Sequence, residues 1–118
     1  MRHNPTDMTT PKVILSRALV RRLSQWHSGM DAVYALTSHA YDGERRPSRP
    51  VSLEMIDKAL TVLRRDQTSL EGTIERFRRM KPFSEQKRWI SQNLKNLKHL
   101  KTTISQLQNV YDRHLKRR

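Results

Sequence analysis

The 118-residue sequence contains no cysteine, only three glycines and no long run of apolar residues. Without cysteine, the chain can form neither a disulfide nor a thiolate metal site, and nothing indicates an oxidising compartment. No apolar stretch approaches the roughly 18 residues that a membrane-spanning helix needs. The opening residues, MRHNPTDMTTPK, also lack the apolar centre of a signal peptide. We therefore expect a cytoplasmic protein with a single domain and a core of modest size.

Acidic residues are scarce relative to basic ones. The chain has 24 Lys and Arg residues against 11 Asp and Glu residues, which gives a formal net charge of +13. The excess is concentrated in the last third, because residues 81–118 hold ten basic and two acidic side chains, a net charge of +8. A balance of this kind favours nucleic acid or another anionic surface as the partner.

The motifs that usually carry catalysis or metal binding are missing from the sequence. Its histidines are never four residues apart and no HExxH motif occurs, so a metal site has little support: they are His3, His27, His39, His99 and His114. No glycine-rich phosphate loop, GxSxG motif or Cys/His pair is present. We therefore expect a non-enzymatic protein with no cofactor and no metal.

The first apolar pattern predicts a helix over about residues 11–42. Thr10 suits its N-cap, and Pro11 suits the first helical position, where a missing N–H group costs nothing. Mostly apolar side chains then recur every three or four residues: Leu15, Leu19, Leu23, Trp26, Met30, Val33, Thr37 and Tyr41. Gly29 lies inside this pattern and indicates either a bend near Ser28 or the close approach of a neighbour. We expect residues 1–9, which are polar, to be flexible.

Two further helices are predicted over about residues 52–81 and 84–117. Ser52 suits the N-cap of the first, and Pro82 ends it. Its seam positions, apolar except for Gln67, alternate at spacings of three and four, as in a coiled coil: Leu53, Ile56, Leu60, Leu63, Gln67, Leu70, Ile74 and Phe77. The last helix has a matching stripe: Ile90, Leu94, Leu97, Leu100, Ile104, Leu107, Tyr111 and Leu115.

These helices predict an all-α fold. The short link between the second and third helices predicts an antiparallel hairpin. Because apolar positions can be paired along all three helices, we expect residues 10–118 to form an antiparallel up-down-up bundle of three long helices with coiled-coil-like packing. A homodimer formed through remaining apolar surface is an open alternative.

The face opposite the last apolar stripe carries a single sign of charge. Its basic residues are Lys87, Arg88, Lys95, Lys98, Lys101, Arg113, Lys116 and Arg117. Arg17, Arg21 and Arg22 form a second basic cluster on the first helix. A face that needs only solvation usually mixes signs, because opposite charges four residues apart stabilise a helix. We predict that both clusters contact nucleic-acid phosphates, although a face that is only solvated is also consistent with the pattern.

The leading functional hypothesis is a nucleic-acid-binding protein that contacts phosphates mainly through its last helix. The alternative is a helical adaptor or inhibitor that binds an acidic protein partner or a second copy of itself. An exposed apolar stripe that includes Trp89, Leu100 and Leu107 would favour the adaptor. A wholly polar exposed face would favour nucleic acid. No helix-turn-helix, RRM or zinc-finger signature is present, so sequence-specific recognition is the weaker form of the leading hypothesis.

One short element has a counterpart in other proteins. Trp26, His27 and Gly29, followed by Tyr34-Ala35-Leu36, form a WHxG…YAL pattern. The pattern resembles an element of small uncharacterised helical proteins from bacteria, some linked to mobile elements. The resemblance implies a bacterial or phage context and carries no catalytic chemistry.

Overall fold

The computed structural model describes residues 12–26, 30–41 and 48–115. Helices predominate in this part of the chain, which confirms the all-α class. In chain order the elements are β1 (Lys12–Val13), α1 (Arg17–Leu23), α2 (Ala32–Ala40), β2 (Val51–Ser52), α3 (Leu53–Arg79) and α4 (Gln86–Leu115).

The prediction of one continuous helix over residues 11–42 is wrong, because a strand and two short helices occupy this segment. Helix α1 begins after Ser16, whose hydroxyl accepts the N–H of Leu19 at 3.1 Å. It ends at Leu23, where the chain turns through Ser24 and Trp26. Helix α2 begins after Asp31, whose carboxylate accepts the N–H of Tyr34 at 3.0 Å. Two local N-caps therefore replace the single predicted helix start.

Several predicted features of this segment lie outside the described residues. They are the flexible residues 1–9, the Thr10-Pro11 start, the bend at Ser28 and Gly29, and the end of the helix near residue 42. The residues on both sides of the break between α1 and α2 are among those described.

A two-residue antiparallel ribbon explains why the first helix does not run alongside the other two. Strand β1 pairs with β2, so that Lys12 lies opposite Ser52 and Val13 lies opposite Val51. The chain before α1 is therefore held at the beginning of α3. Leu15 lies at this end, whereas Phe77 lies about 36 Å further along α3 at 1.5 Å per residue. An up-down-up bundle of three equal helices would place these two residues side by side, and the structure does not confirm that arrangement.

Helices α3 and α4 form an antiparallel hairpin of 27 and 30 residues. The Ser52 cap is confirmed, because its hydroxyl accepts the N–H of Met55 at 3.2 Å. The rings of Phe77 and Trp89 touch at the closed end of the hairpin. The two helices therefore begin and end close to the predicted positions and run in opposite directions.

The hydrophobic core lies at the open end of this hairpin, where α1, α2 and the ribbon pack against it. Its buried side chains come from every element: Val13, Leu15, Leu19, Val20, Leu23, Val33, Leu36, Ala40, Val51, Leu53, Ile56, Ala59, Leu60, Leu63, Leu100, Ile104 and Leu107. Leu63 on α3 and Leu100 on α4 mark its limit along the hairpin. We call the part of the molecule that contains this core the base.

The rest of the hairpin, residues 64–99, projects from the base, and we call it the arm. Among its residues only Ile74 is buried, with 4% of its surface exposed, and Leu94 on α4 is 40% exposed. The α3 part of the arm spans 16 residues, or about 24 Å. The described molecule is correspondingly elongated, with extents of 67 × 29 × 23 Å. No helix in the described ranges is both long and apolar enough to cross a bilayer.

The polar position in the α3 seam is satisfied within its own helix. The Gln67 amide donates to a carboxylate oxygen of Glu71 at 3.2 Å. The indole nitrogen of Trp26 is buried and has no hydrogen-bond acceptor among the described residues.

Candidate functional site

Among the described residues, the densest basic cluster lies at the free end of the arm. Helix α3 ends at Arg79, residues 80–85 form the turn, and α4 begins at Gln86. This geometry brings the last turn of α3 next to the first turn of α4. The resulting tip cluster consists of Arg76, Arg78, Arg79, Lys81, Lys87 and Arg88, with Glu75 and Glu85 as the acidic residues next to them.

Aromatic side chains lie within the tip cluster. Trp89 is flanked by Phe77, with ring centroids 5.4 Å apart and ring planes at 65°, and by Phe83, at 5.9 Å and 81°. These edge-to-face contacts are favourable geometries for aromatic pairs. Trp89 nevertheless stays 46% exposed, and Met80 in the turn is 52% exposed. The tip therefore presents flat apolar surface between positive charges.

The turn at the tip is held by one amide side chain. Gln86 Nε2 donates to the backbone carbonyl of Phe77 at 2.6 Å and to that of Met80 at 3.2 Å. The last carbonyls of a helix have no partner within the helix, so this side chain from α4 caps the end of α3. The cap and the aromatic contacts fix the orientation of the two helix ends.

Few acidic groups neutralise the arm. Residues 64–99 hold ten Lys and Arg residues and four Asp and Glu residues, a net charge of +6. Two of these carboxylates take part in the arm's described ion pairs, namely Glu75 with Arg79 at 3.5 Å and Glu71 with Lys101 at 3.9 Å. All four side chains are about half exposed or more, so both pairs are weak and easily exchanged.

A small recess opens at the tip on the α3 side. It has a volume of about 310 Å³ and is lined by Thr73, Arg76, Phe77, Arg79 and Met80. The guanidinium of Arg76 donates to the hydroxyl of Thr73 at 3.2 Å, which positions it at the recess. The lining of the recess is mainly apolar, and the side chains of two arginines contribute to it.

The basic residues predicted from the sequence fall into two separate groups. Lys87 and Arg88 belong to the tip cluster, Lys95 and Lys98 lie exposed along the arm, and Lys101 lies just below it. Arg17, Arg21, Arg22 and Arg113 lie in the base. Lys87 and Arg113 are 26 residues apart on α4, or about 39 Å. Lys116 and Arg117 lie outside the described residues.

The base group borders a shallow groove of its own. Arg22 from α1 and Arg113 from α4 line a groove of about 300 Å³ together with Gln106 and Asn109. No aromatic side chain lines it. Its arginines add to the positive field, but the groove, which Leu19 and Val110 also line, lacks the aromatic surface found at the tip.

Sequence reasoning missed four members of the tip cluster: Arg76, Arg78, Arg79 and Lys81. At the end of α3 these side chains are explained by the helix dipole, which favours basic residues in the last turn. A signal was available, because only a short turn separates them from Lys87 and Arg88. Counting charges across the hairpin, rather than along one helix, would have identified the cluster.

The junction between base and arm contains a perturbed carboxyl group. Burial raises the pKa of Asp66 above its ordinary value of 3.8, Arg65 opposes this shift, and the carboxylate of Asp31 adds to it. Asp31 is the N-cap of α2, so α2 lies close to α3 at this point. No group of three or more His, Asp or Glu side chains that could hold a metal occurs within the described ranges.

Comparisons with known proteins give no assignment. No family model, no curated protein and no solved structure matches this chain.

Proposed function

We propose that this chain is a small, non-enzymatic nucleic-acid-binding protein that contacts phosphates through its arm. The observation that supports this proposal is the position of the charge. A net charge of +6 lies on a projection that contributes almost nothing to the core. Charge that stabilises a fold is normally balanced by nearby carboxylates, whereas surplus cations on an exposed projection are suited to a polyanion.

The proposal differs from the sequence-based hypothesis in where the contacts lie. Lys87, Arg88, Lys95 and Lys98 remain contact residues. Arg76, Arg78, Arg79 and Lys81 join them because the hairpin brings them to the same end. The arginines of the base are too distant to share a short ligand with the tip, so we assign them a secondary contribution through the overall field.

The mechanism is counterion release. Each cation that neutralises a phosphate releases a condensed counterion. The logarithm of the association constant therefore falls with the logarithm of the salt concentration, with a slope of about 0.9 per contact for duplex DNA and about 0.7 for single strands. Fluorescence anisotropy with labelled duplex DNA, single-stranded DNA and RNA at two salt concentrations measures both affinity and slope. Absence of binding to all three at low salt would contradict the proposal.

Two triple variants, which remove the same number of charges from different places, test where nucleic acid binds. Arg78→Gln, Lys87→Gln and Arg88→Gln remove three charges from the tip, and all three residues are exposed. We expect affinity to fall on the order of tenfold or more and the salt slope to fall by about 2 to 3.

The matched control removes the same number of charges from the base, by Arg17→Gln, Arg21→Gln and Arg113→Gln. These residues are also exposed. We expect the control to keep most of its affinity, and the double variant Lys95→Gln/Lys98→Gln to lie between the two triples. Equal losses in both triples would show that binding follows net charge rather than the arm.

The second candidate function is an adaptor that docks its arm on an acidic protein. Leu100 and Leu107 are buried, so the stripe that would have favoured this reading does not form as predicted. However, Trp89, Met80 and the tip arginines belong to residue types that are enriched in protein interfaces. Effective competition by poly-glutamate against nucleic acid, at equal charge concentration, would favour the adaptor.

Self-association would bring like-charged arms together, so we expect any dimer to weaken at low salt.

A further inference from the structure

The recess at the tip indicates which form of nucleic acid the arm binds. We propose that an unpaired base of a single strand occupies this recess and packs on Phe77, while the neighbouring guanidinium groups contact its phosphates. This inference rests on the proposed function and narrows it from any nucleic acid to one with accessible base faces.

The recess is suited in size and chemistry to a flat, partly apolar group. Its volume of about 310 Å³ lies at the lower end of the range for small-molecule sites. Phe77 and Met80 supply apolar surface, and Arg76 and Arg79 supply positive charge. A base attached to a phosphate combines a π-face with a negative charge, which matches this pairing of groups.

The aromatic ring in the recess is held in place before any ligand binds. Phe77 contacts Trp89 edge-to-face, and its carbonyl accepts a hydrogen bond of 2.6 Å from Gln86. A fixed ring loses little conformational entropy when a base packs on it. Arg79 can leave its exposed pair with Glu75 at small cost, because that pair is weak in water.

Duplex DNA cannot use the recess in the same way. Its bases are paired and stacked inside the helix, so only phosphates and groove edges are available to a side chain. Single strands can splay a base onto an aromatic side chain, and each such contact is worth roughly 5- to 100-fold in affinity. We therefore expect the tip to prefer single strands, and this preference should depend on the bases themselves.

The first test uses the full-length protein and three labelled probes: oligothymidylate, an abasic oligomer of the same length and charge, and duplex DNA. We expect oligothymidylate to bind roughly 5- to 100-fold more tightly than the abasic oligomer at the same salt concentration. Binding to neither the oligomers nor the duplex at low salt would overturn the proposed function. Equal binding to the base-bearing and abasic oligomers would leave the proposed function standing and overturn this inference.

The second test uses two matched substitutions at the tip. Phe77→Leu and Phe83→Leu each remove an aromatic contact with Trp89, but only Phe77 lines the recess. We expect Phe77→Leu to abolish most of the difference between oligothymidylate and the abasic oligomer. Phe83→Leu should keep the difference. Equal effects of the two substitutions on that difference would assign it to the general order of the tip and refute the recess as the base site.

Discussion

The base and the arm share the same two helices but differ in what covers them. In the base, α1, α2 and the ribbon form a third layer, and Leu60, Leu63 and Leu107 are at most 1% exposed. In the arm the same helices have only each other, and Leu94 on the same stripe of α4 is 40% exposed. An apolar stripe therefore leads to a core only where a further layer covers it. Stability is concentrated in the base, whereas the arm, with 36 of the 118 residues, carries +6 of the net charge of +13.

The largest expected effect compares one substitution at two places on α4. Leu107→Ala removes a fully buried side chain from the base and should lower the free energy of unfolding by about 2–5 kcal/mol. Leu94→Ala, in the arm, should lower it by about 1 kcal/mol or less, because much of that side chain is already in contact with water. Urea denaturation followed by circular dichroism measures both values.

Equal losses of unfolding free energy from Leu107→Ala and Leu94→Ala would contradict the difference between base and arm. They would show that the arm is covered in solution, for example by a second copy. Sedimentation velocity on the Leu94→Ala variant and its parent would then identify the loss of that contact.

A smaller effect is expected for the side chain that ties the two helices together at the tip. Gln86→Ala removes the hydrogen bonds to the carbonyls of Phe77 and Met80, a net loss of about 0.5–1.5 kcal/mol. Because the tip contributes little to the core, we expect this loss of free energy to favour local opening of the tip rather than unfolding of the whole protein. Amides in the last turn of α3 should exchange with solvent roughly 2- to 12-fold faster.

The control for this substitution is Gln92→Ala. Its amide donates to Asn96 on the same helix and makes no tie to α3. Hydrogen exchange at the tip should not change in this variant. If both variants accelerated exchange equally, the loss of any glutamine side chain from α4, rather than the loss of the cap, would be the cause.

The smallest expected effect concerns the junction between base and arm. Because folding raises the pKa of Asp66, the folded state binds this proton more tightly than the unfolded chain does. The stability that this group contributes is therefore present below pH 3.8 and is lost as the pH rises through the folded-state pKa. Asp66→Asn, which cannot ionise, should be more stable than the parent near neutral pH by less than about 0.5 kcal/mol.

Thermal denaturation at several acidic pH values would test this prediction. The stability difference between Asp66→Asn and the parent should grow as the pH rises above 3.8 and then level off. A difference that is the same at every pH would mean that the substitution acts by packing rather than by charge.

Sequence reasoning succeeded where one local signal was enough. The hairpin was predictable because the seam of α3 keeps its spacing from Leu53 to Phe77 and Ser52 and Pro82 delimit the helix. The first helix was mispredicted because periodicity alone does not distinguish one helix from two short ones that share an apolar phase. The capping residues Ser16 and Asp31 were visible in the sequence, but a cap signal is decisive only when the capping residue itself has an extended backbone, as both do here.

The candidate site was predicted only in part, for a different reason. Lys87 and Arg88 were found because they lie on one helix face, where charges can be counted along the chain. The arginines of α3 join them through the turn, so their proximity is a property of the hairpin. The recess depends on Phe77 and Met80 facing the same side of that turn, which no spacing rule predicts.

The sequence by itself determined the helical class, the two long helices and the excess of positive charge, because each follows from composition or from the spacing of residues close together in the chain. The tertiary structure decided how much of the hairpin is covered and where the cations meet. Periodicity specifies which face of a helix is apolar but not which partner covers it. Here the ribbon at Lys12 and Ser52 and the break after Leu23 confine the covering layer to one end. The other end remains an exposed, basic arm.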